Sequence, residues 1–197
     1  MNPQAEAAAA LVAALGEIEG RGRNLVTALL DGAPFHELAH YPPDDIRDPV
    51  TGAQYYFHAH RRDGSSGHLH CFLPSEGAAG LTHVAAVALD QSGRPARFFT
   101  TNLWVTGDDF CVAEVLTPRL PALDWSHASG EPAVNAALTA LFALYRHEVA
   151  ALLRRRDAML RRRGDVAADE RVELLSTARI DLPGRLAALC ARLGLAA

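Results

Sequence analysis

Between Gln54 and Leu73 the chain reads as two strands of period two that carry histidine at alternate positions, and no other segment constrains the fold as strongly. The runs Gln54-Tyr55-Tyr56-Phe57-His58-Ala59-His60-Arg61 and His68-Leu69-His70-Cys71-Phe72-Leu73 flank a turn-prone Arg62-Asp63-Gly64-Ser65-Ser66-Gly67. Residues two apart on a strand share a face. His58 and His60 therefore project together, as do His68 and His70. Tyr55, Phe57 and Ala59 on one strand and Leu69, Cys71 and Leu73 on the other make the opposite face. One apolar core face and one histidine face are expected.

The register decides how the histidines meet. A loop with an odd number of residues, such as Asp63-Gly64-Ser65, sets His58 opposite His70 and His60 opposite His68. A two-residue Asp-Gly turn would set His58 opposite Leu69 and mix the faces. The odd loop keeps the pattern, with opposed Cβ atoms about 5 Å apart. Neutral imidazoles at that spacing offer lone pairs to a divalent transition metal such as Zn, Fe, Ni or Cu. A proton relay or an anion-binding surface is a second use for them. A polar sheet face in a chain with 9 histidines is the plainest account.

The remaining segments build around this hairpin. Leu81 to Leu89 reads as a third strand, Asp90 to Pro95 as a turn, and Ala96 to Thr101 as a fourth strand; such short links favour antiparallel pairing. Leu11, Val12, Leu15 and Ile18 stripe a helical region over 5–30, interrupted at Gly20-Arg21-Gly22. Pro34, Pro42, Pro43 and Pro49 bracket an irregular stretch. A short helix capped by Asp108 or Asp109 runs through Leu116, and Pro118 and Pro121 then enforce loop. Val134, Leu138, Leu141, Tyr145, Val149 and Leu152 mark a long helix beginning at Glu131. Two shorter helices, Asp169 to Ser176 and Leu182 to Leu193, complete the chain. The expected class is α+β: an antiparallel sheet of about four strands packed by N-terminal and C-terminal helices. A single domain over 1–197 is expected, helical over 1–40, sheet over 50–106 and helical over 131–197.

Charge and composition narrow the function. All 19 basic residues are arginine, the mark of a GC-rich bacterial genome. A net charge of −4 gives nothing to draw the chain to nucleic acid or to an anionic membrane. The apolar run Ala7 to Leu15 follows an acidic rather than a basic segment, unlike a signal peptide, and no stretch reaches the roughly 18 apolar residues of a membrane span. Cys71, Cys111 and Cys190 are odd in number and scattered, which argues against a disulfide framework. A cytoplasmic protein is expected, with a small-molecule ligand and its oligomeric state open.

Other motifs compete. His36-Glu37-Leu38-Ala39-His40 matches H-E-x-x-H, but Pro34 and Pro42-Pro43 leave room for about two helical turns at most. His40 is kept as an additional metal ligand. Gly52 to His60 matches the opening of the cupin motif, yet the glutamate expected after His60 is replaced by Gly64 or Ser65. Asp44, Asp45 and Asp48 precede the hairpin and either complete a mixed site, orient ligand histidines, or belong to a solvated acidic loop. Thr100 to Trp104 ends a strand with polar groups and one tryptophan, so Asn102 and Trp104 either line a pocket or close the strand. Arg154-Arg155-Arg156 and Arg161-Arg162-Arg163 are offset by the acids that follow and read as a solvated helix.

The segments His40-Tyr41-Pro42, Tyr55 to Arg61, Gly67 to Phe72 and Phe99 to Gly107 together resemble a bacterial family of unknown function, over roughly residues 40–107. The resemblance supports the site without naming its reaction. The expected function is a histidine-rich metal-binding domain and metal-dependent enzyme. Its expected ligands are His58, His60, His68 and His70, joined by His40 and Asp48, with Arg61, Asn102 and Trp104 on the substrate. A non-catalytic small-molecule or metal sensor, or an interaction domain with incidental histidines, is the alternative.

Overall fold

The computed structural model describes residues 2–59, 66–76, 80–164 and 166–194. Its centre is a six-stranded antiparallel sheet in sequential order. The strands are β1 (Tyr41–Arg47), β2 (Gln54–His58), β3 (His68–Pro74), β4 (Leu81–Leu89), β5 (Pro95–Thr101) and β6 (Leu174–Arg179). Helices α1 (Pro3–Gly20) and α2 (Leu25–Leu30) precede it. Helices α3 (Leu103–Thr106), α4 (Ala113–Leu116), α5 (Pro132–Leu144) and α6 (Arg146–Arg162) lie between β5 and β6, and α7 (Leu182–Leu193) ends the chain.

The α+β class is confirmed, with six strands where about four were expected. Both additions lie at sheet edges. β1 contains Pro42 and Pro43, which have no N–H to give a ladder and are tolerated only at an edge. Its pairing with β2 is broken between Tyr41 and Ile46, where Asp45 takes φ 50°. No clean alternation therefore survives in its sequence. β6 replaces the expected helix over Asp169–Ser176. There a 3-10 turn at Val166–Ala168 and an Asp169 turn, in which its carboxylate accepts from Arg171 N–H at 3.1 Å, end the local helical signal. The strand then docks on β5, with Ser176 Oγ 2.7 Å from Thr100 Oγ1 and donating to Leu152 O at 2.9 Å.

The expected break at Gly20-Arg21-Gly22 is present, and α2 opens with a reciprocal cap between Asn24 and Thr27. The long helix expected from Glu131 is two helices, α5 and α6, bent by 73°. Tyr145 leaves helical geometry at the junction (φ −104°, ψ 20°), which lets α5 lie on α1 while α6 lies on β5 and β6. No single described helix is long and apolar enough to cross a membrane. The helix expected to begin at Asp108 or Asp109 starts at Ala113 instead. Its first N–H is taken by Asp157, which frees Asp108 for the sheet.

The apolar face behaves as its alternation predicts. Tyr55, Phe57, Leu69, Cys71 and Leu73 are buried in one continuous core with Val87, Leu89 and Phe98. Phe98 packs on Phe142 and Tyr145, and Tyr55 packs edge-on to Trp125, so α5 and α6 cover this side. Burying each large side chain contributes roughly 1.5–3 kcal/mol. The other face carries a separate buried cluster of Ala86, Ala88 and Phe99 beside the histidines.

Candidate metal centre

The β2–β3 ladder pairs Phe57 with Leu69 on the core side and His58 with His68 on the other. The two-face expectation holds, but the register differs from the odd-loop reading. His58 lies opposite His68 rather than His70, and His70 lies opposite Tyr56. Sliding a pairing by two residues preserves every face, so alternation alone cannot choose between these registers. His60 and Arg61 lie outside the described residues.

Three imidazoles converge. His58 Nε2 and His68 Nε2 are 2.7 Å apart, a hydrogen bond in which one ring donates and the other accepts. The His70 ring centroid is 5.1 Å from that of His58 and 4.8 Å from that of His68. One nitrogen from each of the three lies within 4.8 Å of the others. His70 is 1% exposed and His68 7%, while His58 is half-buried.

A fourth imidazole stands behind His70. His83 Nε2 is 3.1 Å from His70 Nδ1, and His83 Nδ1 is 3.4 Å from Thr101 Oγ1. Burial holds the basicity of His70 well below the usual imidazole value, reinforced by the positive charge that His83, His68, His58 and His40 would carry. Burial, aided by the Arg156 charge, lowers His83 to about 3. Both rings are therefore neutral at ordinary pH and keep a lone pair to give.

On the open side His40 stacks on Tyr56 at 3.8 Å with 8° between the planes, its ring 6.0 Å from that of His58. Asp45 orients it. One carboxylate oxygen is 3.0 Å from His40 Nδ1, and the other accepts from Gln54 Nε2 at 2.9 Å. The irregular β1 backbone at Asp45 thus serves to aim a carboxylate at a histidine. Tyr56 is pushed up to about 12, by burial first and then by the Asp45 and Asp108 charges, so its phenol stays protonated.

Several sequence candidates sit elsewhere. Asp48 is fully buried, but its carboxylate accepts from the backbone N–H groups of Val50 (2.8 Å), Thr51 (2.9 Å) and His127 (2.8 Å). It closes a turn. Asp44 is exposed. Asn102 is buried, donating to Val166 O at 2.7 Å and Val172 O at 2.9 Å and accepting from Leu103 N–H at 2.8 Å, so its amide anchors the chain before β6. Trp104 lies exposed on α3. His36 to His40 is not helical, which removes the H-E-x-x-H geometry.

His83 carried no signal in the sequence. Val87 and Ala85 face the core, so strict alternation assigns His83 to the core as well. The β3–β4 register shifts between Cys71 and Phe72: Ala85 pairs with Cys71, His83 pairs with Phe72, and Val84 is the extra residue. This bulge turns His83 to the histidine face.

The fold and the site define an α+β protein with an imidazole cluster on the sheet face opposite α5 and α6. The chain belongs to the family described as a domain of unknown function, DUF6969, whose model matches residues 5–180. That span runs from α1 through β6 and includes every histidine of the cluster. No curated protein and no solved structure matches the chain.

Proposed function

We propose that the chain is a metal-binding protein in which His58, His68 and His70 hold one divalent transition ion, and that it acts as a metal-dependent enzyme. The observation that carries this reading is the convergence of three ring nitrogens within 4.8 Å from two paired strands. A tetrahedral ion with bonds of about 2.0–2.1 Å needs its ligand nitrogens about 3.3 Å apart. To reach that spacing the His58–His68 pair opens from 2.7 Å, and the three nitrogens, now within 4.8 Å of one another, adjust to it. An all-imidazole set suits Zn, Fe, Ni or Cu; thiolate chemistry is not involved, because Cys71 lies in the core on the opposite face. A site of these three ligands, the ones found among the described residues, would leave a coordination position for water or substrate, the pattern of catalytic rather than structural sites. His40, aimed by Asp45, stands beside the cluster as a proton acceptor for that position.

Metal analysis of tag-free protein tests the reading. One equivalent of ion is expected in the wild type and none in His58→Ala or His70→Ala. Absence of metal after reconstitution with each of the four ions overturns it. His58 is only half-buried, so its substitution keeps the test valid if His70→Ala fails to fold. A second reading, a closed metal sensor, is favoured by the burial of His68 and His70. Azide binding to the cobalt-substituted protein separates the two, since a closed site leaves the cobalt spectrum unchanged.

A further inference from the structure

His83 occupies its place through three separate devices. The Val84 bulge turns its side chain to the histidine face, the Asp108 carboxylate accepts its backbone N–H at 2.6 Å, and Thr101 Oγ1 lies 3.4 Å from its Nδ1. Its remaining nitrogen, Nε2, is 3.1 Å from His70 Nδ1. A neutral imidazole has one N–H and one lone pair, so the chain Thr101–His83–His70 runs in one of two directions. If Thr101 donates to His83, then His83 donates to His70, and the proton of His70 sits on Nε2. If His70 donates through Nδ1–H, then His83 donates to Thr101, and His70 Nε2 keeps its lone pair. Only the second direction lets His70 ligate without first moving a proton.

We propose that Thr101 and His83 form a positioning chain that holds His70 as its Nδ1–H tautomer, with the Nε2 lone pair presented to His58 and His68. Free imidazole side chains favour the opposite tautomer, so the arrangement has a cost the fold must offset and a spectroscopic signature. The proposal deepens the metal reading and depends on it for its consequence, but the tautomer itself exists without metal. A histidine ligand whose second nitrogen is held by a neighbour gains in basicity and orientation, and loss of such neighbours lowers metal affinity about 10–100-fold.

Long-range 1H–15N correlation spectra of the metal-free, 15N-histidine-labelled protein at neutral pH test the chain. His70 is expected to show a protonated Nδ1 and an unprotonated Nε2. Thr101→Val, close in shape to threonine, removes the acceptor of the His83 N–H. It is expected to shift His70 toward the Nε2–H form and to weaken Zn binding about 10–100-fold, with Thr101→Ser restoring both. A wild-type His70 with its proton on Nε2 overturns the proposal, as does a Thr101→Val variant with unchanged tautomer and affinity. The expected tautomer in a protein that takes up no ion supports the positioning chain and overturns the metal reading instead.

Discussion

His58 and His68 face each other directly across the β2–β3 ladder, with their Nε2 atoms 2.7 Å apart. Such a pair does one of two things on meeting a metal ion. It opens slightly and clamps the ion, or it remains a hydrogen bond and ignores it. Clamping couples binding to stability, because an ion that binds only the folded state stabilises it by about 2.7 kcal/mol at a concentration 100-fold above Kd. Wild-type protein reconstituted with Zn is therefore expected to melt several degrees higher than the chelated protein. His58→Ala is expected to melt at the same temperature with or without Zn. Differential scanning calorimetry with and without chelator checks both.

Asp48 tests whether burial alone marks a ligand. Its carboxylate has three backbone N–H partners, and none is in the histidine cluster. Asp48→Asn is expected to destabilise the fold by about 1–3 kcal/mol, since an amide cannot satisfy three donors equally. Metal stoichiometry should not change. Burial raises the pKa of this group, but the three N–H donors and the nearby His127 outweigh it, so the pKa lies below the usual 3.8. A depressed carboxylate contributes stability that is present above pH 3.8 and lost as pH falls through the folded value. Urea denaturation of wild type and Asp48→Asn should therefore converge in strong acid.

The sheet region was legible because period-two alternation survives wherever a strand is flanked by two neighbours. The face assignments of Tyr55, Phe57, Leu69 and Cys71 against His58, His68 and His70 came through unchanged. What alternation cannot encode is a slip of two residues, so the opposition of His58 to His68 was hidden. Nor can it encode a bulge, so nothing in the sequence brought His83 to the histidine face. The edge strands were hidden for another reason: β1 carries prolines and β6 carries leucines that read equally as helix. Only their neighbours in space make them strands. Asp48 and Asn102 show the converse error, since a polar residue near a suspected site is as often satisfied by local backbone as by a ligand.

The buried histidines make acid stability of the metal-free protein a sharper probe. His70 and His83 both titrate below the ordinary 6.5, His83 near 3. Between the unfolded and folded values, the unfolded chain holds protons that the folded chain does not, so stability rises with pH there. The His83 contribution is complete above pH 6.5 and falls as pH drops toward about 3, by at most about 1.4 kcal/mol per pH unit. His70, also lowered, adds a loss of the same sign below pH 6.5. His83→Gln should reduce that slope by about one proton's worth. Guanidinium denaturation at half-unit steps from pH 7 to 4 measures it, and a slope identical to wild type would show that His83 does not remain neutral in the folded state.

Gly67 closes the hairpin that presents the cluster, and it offers the most direct way to disturb the histidines without touching them. It precedes His68 with φ 112°, outside the range that L side chains normally adopt. A Cβ built there would lie 2.6 Å from the Phe57 ring and 2.7 Å from His58 O. Neither neighbour can retreat cheaply, because Phe57 is fully buried in the core and His58 O belongs to the β2 backbone at the opposed pair. Gly67→Ala must therefore strain its own backbone, at about 1–3 kcal/mol, or push β2 away from β3. The second response separates His58 from His68. The variant is expected to lose stability and to bind Zn more weakly than wild type even at temperatures where it remains fully folded, as read by circular dichroism alongside competition with a chromophoric chelator. A destabilised Gly67→Ala protein that keeps wild-type Zn affinity although its histidine NMR signals show the His58–His68 pair separated would mean that this opposition is not part of the metal centre. Wild-type affinity with the pair intact would mean that the backbone at Gly67 absorbs the strain.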